Sequence, residues 1–188
     1  MDSKTILIIA AVIVVLGFII IMYNSLINKK NQVNNVFASL DALLKKRYDL
    51  IPNLVSTVQN YMKHESGTLT TITELRARAM NPEISNDEKV QINNDISRSL
   101  KGLNVAFENY PDLKASSNFI QLQQALNETE EQISAGRRAY KAVVTEYNNS
   151  VEMFPSNIFA SMMKLKVRQL FEITESERQN VSVKNLFG

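Results

Sequence analysis

The chain has 188 residues, of which 45% are hydrophobic and 21% charged, and its formal net charge is +2. This near balance argues against a dedicated nucleic-acid-binding protein, which usually carries a concentrated basic face. Cysteine is absent, so a disulfide framework and thiolate chemistry are excluded. With only 5 glycines and 4 prolines, the chain has few turn signals, and we expect an all-α protein.

The first predicted element is a membrane span. Residues 5–23 carry no charge, and about 20 apolar residues suffice to cross a bilayer as a helix. The alternative is a cleaved signal peptide, but its apolar core is usually only about 7–15 residues long, and no small-residue cleavage site follows here. We therefore interpret residues 1–23 as the segment that holds a retained single-pass anchor. Residues 24–188 are predicted to form a helical bundle with a C-terminal tail.

The orientation of the anchor is predicted from its flanking charges. One lysine precedes the span, whereas several basic residues follow it. The positive-inside rule then places the N-terminus outside the cell (inner) membrane and the bundle in the cytoplasm.

A long heptad pattern follows the span. Apolar residues recur in two rows, with a period of about 3.5 residues, and predict one long first helix over residues 24–80. Pro52 lies inside this pattern without shifting it. Either the helix continues with a kink at Pro52, or Asp49 caps a new helix that has Pro52 in its first turn. We favour the kinked helix.

Three further helices are predicted, over residues 86–109, over residues 118–153 and, shorter, after residue 155. Ser85 is the predicted N-cap of the first of these. In an antiparallel, up-and-down bundle of about four helices, the first helix would rise from the membrane, the second return and the third rise again. Gly136 on the third helix would let a facing helix come close.

The predicted lengths leave the lower part of the first helix without a neighbour. That part nevertheless carries an apolar stripe, formed by Leu26, Val33, Phe37, Leu40 and Leu44. Because an exposed apolar stripe marks an interaction surface, we predict that the protein is a homo-oligomer that associates through it. The alternative is that the C-terminal tail folds back and covers the stripe.

A search for catalytic chemistry finds no site. His64, the one histidine, precedes Glu65, but the H-E-x-x-H zinc motif needs a second histidine where Thr68 stands. No glycine-rich phosphate loop or nucleophile elbow is present either. The carboxylates at positions 128–131 are interpreted as a solvated helix face, and the basic stretch 164–168 as bundle packing far from the bilayer. We predict no catalytic residue, no metal, no cofactor and no enzymatic activity.

Charged residues inside the long apolar seam are more informative. Arg47 and Glu65 occupy positions that are otherwise apolar, and buried charges need partners. Glu130 and Arg137 on the third helix are available. We expect these residues to fix the register between helices, with a ligand site as the alternative.

Four stretches of the chain resemble the bacterial LemA family: YNSLINKKNQV just after the span, LDALLKKRYDLIPNLVSTVQNYMKHE, YPDLKASSNFIQLQQALNETEEQISAGRRAY and EYNNSVEMFPSN. The candidate interaction or register residues that fall within these stretches are Arg47, Asp49, Pro52, Asn53, His64, Glu65, Glu130 and Arg137. The resemblance implies a membrane-anchored antiparallel helical bundle without an established enzymatic activity. A related magnetosome protein suggests a membrane-organising role in some members. Glycine and β-branched residues after Glu65 depart from the family pattern and leave open whether the first helix continues there.

The predicted function is that of a non-enzymatic, membrane-anchored scaffold or adaptor that acts through protein contacts. Its expected partners are the lipid bilayer through residues 5–23, other copies of itself and an unknown membrane or cytosolic protein, but not nucleic acid. The alternatives are an accessory subunit of an integral-membrane protease or transporter, and a membrane-organising protein.

Overall fold

A computed structural model describes residues 2–62 and 65–171, and it confirms the all-α class. Within these residues there is no strand. The helices are α1 (Ser3–Val58), α2 (Ser66–Ala79), α3 (Asn86–Ala106), α4 (Pro111–Lys114), α5 (Ser117–Glu152) and α6 (Ser156–Met162). A short 3₁₀ turn, Phe107–Asn109, follows α3.

The first helix, α1, has 56 residues and is therefore about 84 Å long at 1.5 Å per residue. Its N-terminal part is long and apolar enough to cross a membrane and is not buried against the rest of the chain. The helix continues through Pro52. One helix through this proline is therefore confirmed, and the alternative of a new helix capped by Asp49 is wrong.

The prediction that the first helix reaches residue 80 is wrong, because α1 ends at Val58 and α2 folds back along it. The guanidinium Nε of Arg76 on α2 donates a hydrogen bond to the Tyr48 carbonyl over 2.8 Å. A straight extension would have carried the apolar residues of α2 beyond the bundle. Folding back buries Leu69, Ile72, Leu75 and Ala79. The hydrophobic gain outweighs helix continuity at a segment that contains Gly67 and several threonines.

This additional pass sets the direction of the later helices. The Ser85 hydroxyl accepts a hydrogen bond from the Glu88 amide over 3.2 Å, as predicted for the cap of α3. α3 then runs parallel to α1, and Lys89 pairs with Asp41 at 2.8 Å. α5 returns antiparallel to α1. The up-and-down order is confirmed. However, α5 runs towards the N-terminal part of α1, whereas the sequence analysis predicted that this helix would run away from the membrane.

The prediction of an exposed self-association stripe is wrong for the same reason. Its five residues, Leu26, Val33, Phe37, Leu40 and Leu44, are at most 3% exposed. α5 lies on them: the rings of Phe37 and Tyr140 are 5.6 Å apart, and a Cβ at Gly136 would lie 2.9 Å from Leu40 Cδ1. Gly136 thus permits the close approach that was predicted. α5 itself covers the stripe, and the C-terminal tail that was the alternative cover lies outside the described residues.

We call the end of the bundle beside Leu26 of α1 the proximal end, and the end beside Val58 the distal end. The chain after α5 lies at the proximal end. α6 packs there, with Ala160 buried, and residues 163–171 then run back along α5 in non-helical form. The Tyr147 hydroxyl donates to the Lys166 carbonyl over 3.0 Å. The interpretation of residues 164–168 as helical packing at the far end is therefore wrong. The tail, residues 172–188, lies outside the described residues.

Candidate functional site

The candidate site is centred on Arg47, a cation that α1 places inside the bundle. Its side chain is 1% exposed. One terminal nitrogen, Nη1, donates to Glu130 Oε2 on α5 and to Ser97 Oγ on α3, each over 2.9 Å. The other, Nη2, donates to Asn93 Oδ1 over 2.6 Å. One guanidinium thus joins three helices through charge-assisted hydrogen bonds, which are stronger than neutral ones.

Arg137, about two turns after Glu130 on α5, completes the network. It donates from Nη2 to Ser97 Oγ over 2.9 Å, and its Nη1 lies 3.8 Å from Glu130 Oε1. The Glu130 side chain is 42% exposed, whereas that of Arg137 is 6% exposed. The carboxylate therefore lies at the boundary between two buried cations and solvent. The predicted partner of Arg47, Glu130, is in place, and Arg137 approaches the same carboxylate.

Two members of the network were missed by the sequence analysis. Asn93 is fully buried, and its amide nitrogen donates to the Lys89 carbonyl over 2.9 Å. Ser97 lies one helical turn later and accepts from both arginines. The available signal was weak: two polar residues four apart, next to the apolar face of α3.

A cleft of about 560 Å³ opens beside this network. α3 and α5 form its walls, and Arg47 and Leu54 of α1 also line it. The walls are largely apolar, with Leu100, Leu103, Phe107 and Leu126. Its charged lining residues are two cations, Arg47 and Lys101, and two carboxylates, Glu130 and Glu131, so their formal charges sum to zero. An amphipathic, uncharged surface suits this lining better than a polyanion does.

The other predicted site residues that the structure describes do not join the network. Asp49 pairs with Lys45 at 2.9 Å on the exposed side of α1, and Pro52 and Asn53 are exposed on the same helix. Glu65 is half-buried in the turn before α2 rather than in a helical seam. His64 lies outside the described residues. Throughout the described chain, no three His, Asp or Glu side chains are arranged to hold a metal ion.

Burial changes the acidity of two tyrosines near the network. It raises the pKa of Tyr48 to about 12, and it raises the pKa of Tyr140 to about 12 as well. The Tyr48 hydroxyl lies beside Asn93, but it makes no hydrogen bond of normal geometry within the described chain. Both phenols are therefore neutral at any physiological pH and serve packing rather than proton transfer.

Comparison with known proteins identifies the family of this chain. The model of the LemA family matches residues 36–185, which include every member of the Arg47 network. The chain belongs to the LemA family. Protein LemA of Metamycoplasma hominis is 28% identical over 163 residues, which cover 87% of this chain and 74% of that protein. The LemA match therefore includes both the network and the cleft.

Proposed function

We propose that this LemA-family protein is a membrane-anchored adaptor that binds a segment of another protein in the cleft between α3 and α5. The anchor would be residues 5–23, which pass beyond the bundle as an unburied apolar helix. A helix of this length and composition is suited to a bilayer. The adaptor would therefore hold its partner near a membrane surface.

The observation that carries the proposal is the cleft itself. Its apolar wall residues, such as Leu100 and Leu126, remain partly exposed, although the neighbouring core positions Leu103 and Phe107 are closed to solvent. A partner segment with an amphipathic face would cover these walls and meet balanced charges at their edges. The lining offers no excess of positive charge for a nucleic acid or a phosphate-rich ligand.

A non-enzymatic role is favoured by the way the charged groups are used. Of the two carboxylates that line the cleft, Glu130 accepts from the buried Arg47 over 2.9 Å. This carboxylate is engaged as the hydrogen-bond acceptor of a structural cation. The network serves to position three helices and the walls of the cleft.

Photo-crosslinking from inside the cleft tests the proposal. A crosslinking amino acid is introduced at Asn127, which lines the cleft, and at Gln124, which is exposed on the same helix but does not line it. Full-length protein is irradiated in cells. We expect a defined adduct with a second protein from position 127 and none from position 124.

Three other results would contradict or redirect the proposal, and a fourth would refine it. Equal adducts from both positions, or none from either, would contradict a binding cleft. An adduct with a second copy of the chain would replace the heterologous partner with self-association. Loss of the adduct in Leu100→Arg, with the fold retained by circular dichroism, would localise binding to the apolar wall.

The orientation is tested separately. The positive-inside rule supports a cytoplasmic bundle. In a chain without native cysteine, single cysteines at Ser3 and at Asn53 can be labelled in intact cells with an impermeant maleimide. Labelling at position 3 alone would support this orientation, and labelling at position 53 alone would reverse it.

A further inference from the structure

The proximal end of the bundle carries an exposed apolar ridge that the cleft does not explain. It begins at Met153 and Phe154, which are 62% and 78% exposed, and continues along α6 with Ile158 and Met162, which are 52% and 77% exposed. Ile158 and Met162 are spaced by four within α6, so they lie on one side of that helix, and Phe154 belongs to the turn that precedes it. The opposite side of α6 holds Ala160, which is buried against the bundle. The ridge is therefore turned away from the core.

The ridge lies beside the candidate membrane span. The ring of Phe159 on α6 makes an edge contact with the ring of Phe18, with centroids 6.3 Å apart. Phe18 is five residues before the end of the apolar segment 5–23, which places it about 7–8 Å inside that segment at 1.5 Å per residue. A bilayer that surrounds the span would reach the depth of α6 as well. Interfacial helices insert to a comparable depth, about 5–10 Å.

The end of α6 adds a charged group at the same level. The amides of Lys164 and Leu165 donate to the carbonyls of Ser161 and Ala160 over 3.0 and 2.9 Å, which is the Schellman pattern of a helix C-terminus. Lys164 occupies its left-handed position with φ 53°. Glycine is the usual residue there because it avoids a steric penalty. The exposed lysine adopts this unfavourable backbone conformation beside the ridge.

We propose that α6 is a second, interfacial membrane contact, in which the ridge enters the boundary of the acyl chains and Lys164 binds anionic phospholipid headgroups. This inference rests on the proposed anchoring through residues 5–23. The bilayer is favoured as the occupant because the ridge is continuous with the span through the contact between Phe159 and Phe18. With two contacts, the bundle would be held at a fixed tilt instead of swinging on a single helix.

Site-specific fluorescence in nanodiscs tests the contact. The chain has no native cysteine, so an environment-sensitive probe can be attached to a single cysteine at Ile158. Full-length protein is reconstituted with phosphatidylcholine and phosphatidylglycerol. We expect several-fold stronger quenching by lipid-attached nitroxides than by aqueous iodide. The matched control is a probe at Val105, which is 67% exposed near the distal end of α3 and should show the reverse.

A third probe, at Ile13 within the span, tests the anchor separately from the second contact through α6. Lipid quenching at position 13 but iodide quenching at position 158 would overturn the second contact and leave the anchor intact. Iodide quenching at both positions would overturn the anchor too. Shielding of position 158 from both quenchers would mean that protein, not lipid, covers the ridge, and would also overturn the contact.

The role of Lys164 is tested with Lys164→Gly. Glycine relieves the backbone penalty, so the variant should unfold at the same or a higher temperature. Loss of one basic residue at an anionic surface should nevertheless lower the ratio of membrane-docked to undocked α6 about fivefold. This ratio is read from the lifetime components of the probe at position 158, and neutral nanodiscs should abolish the difference. An unchanged ratio in anionic nanodiscs would overturn the headgroup assignment.

Discussion

The proximal and distal halves of the bundle are held together in different ways. In the proximal half, α1 and α5 pack through apolar side chains, and Gly136 lets Leu40 approach so closely that a Cβ would lie 2.9 Å from its Cδ1. In the distal half, α3 and α5 are separated by the cleft, and Arg47 joins them through hydrogen bonds to Ser97 and Glu130. The first half is closed by packing. The second also has an apolar core, in which the rings of Phe107 and Phe119 are 4.8 Å apart, and in addition it has a charged bridge beside the cleft.

This difference shows how the fold can combine a rigid base with an open surface. Apolar burial stabilises contact but has little directional preference, whereas charge-assisted hydrogen bonds require particular atoms to meet. A network that spans three helices therefore fixes their register without filling the space between α3 and α5. In the proximal half, α1 and α5 already touch along their apolar faces and need no such bridge between them.

The largest expected effect is the loss of packing in the proximal half. Phe37→Ala should lower the free energy of unfolding by about 3–5 kcal/mol, because Phe37 is 3% exposed and packs on Tyr140. Urea unfolding of the full-length protein in detergent measures this change. Val105→Ala, at an exposed position, should change stability by no more than about 0.5 kcal/mol.

The same experiment distinguishes a core stripe from an oligomer interface. If Phe37→Ala left the stability of the monomer unchanged and abolished an oligomer, then the stripe would be an intermolecular surface, contrary to its burial here. Light scattering alongside the unfolding curve separates the two results.

A smaller effect is expected from the charged bridge in the distal half. Glu130→Gln leaves Arg47 buried beside a neutral amide and should cost about 2–3 kcal/mol, less than for a fully buried pair because Glu130 is 42% exposed. Glu128→Gln is the matched control. Its partner Lys46 is the neighbour of Arg47, but that pair is 3.8 Å apart and largely exposed, so its loss should cost less than about 1 kcal/mol. Equal costs for the two variants would show that the bridge does not stabilise the distal half.

The buried tyrosine beside the bridge predicts a loss of stability at alkaline pH. The pKa of Tyr48 is raised from 10.0 to about 12, so its neutral form is favoured by folding. This contribution is complete below pH 10 and is lost as the pH rises towards 12, at about 1.4 kcal/mol per pH unit. Between pH 10 and 12, the free energy of unfolding of Tyr48→Phe should therefore fall less steeply than that of the unsubstituted protein. Tyr61→Phe, at an exposed position, is the matched control, and an equal slope in Tyr48→Phe and the unsubstituted protein would contradict the prediction.

The helical class, the limits of α5 and the pairing of Arg47 with Glu130 could be predicted from the sequence. Each depends on local patterns: apolar periodicity, the turn at Phe154-Pro155 and a charge inside an apolar seam. The end of α1 could not be predicted in this way, because the apolar pattern keeps its phase from residue 58 into α2. That single reversal decides the direction of every later helix.

The cleft and its polar residues depend on tertiary structure still more strongly. Asn93 and Ser97 join the site only because α3 runs parallel to α1, beside Arg47. In the predicted arrangement, α3 would have run antiparallel to the first helix, and these two residues would not have been placed beside Arg47. Local patterns specify which faces are buried, but not which faces meet.

The smallest expected effect measures the contact between the helices of the proximal half directly. Gly102→Ala adds a Cβ to open space on α3 and should stabilise the protein by about 0.5–1 kcal/mol through helix propensity. Gly136→Ala receives the same benefit, but its Cβ would press on Leu40 at 2.9 Å, and the side chain must rotate away. We expect Gly136→Ala to be less stable than Gly102→Ala, with denaturant unfolding as the measurement. Equal stabilisation would show that α1 and α5 can separate slightly at no cost, and that the proximal half is less rigid than its packing indicates.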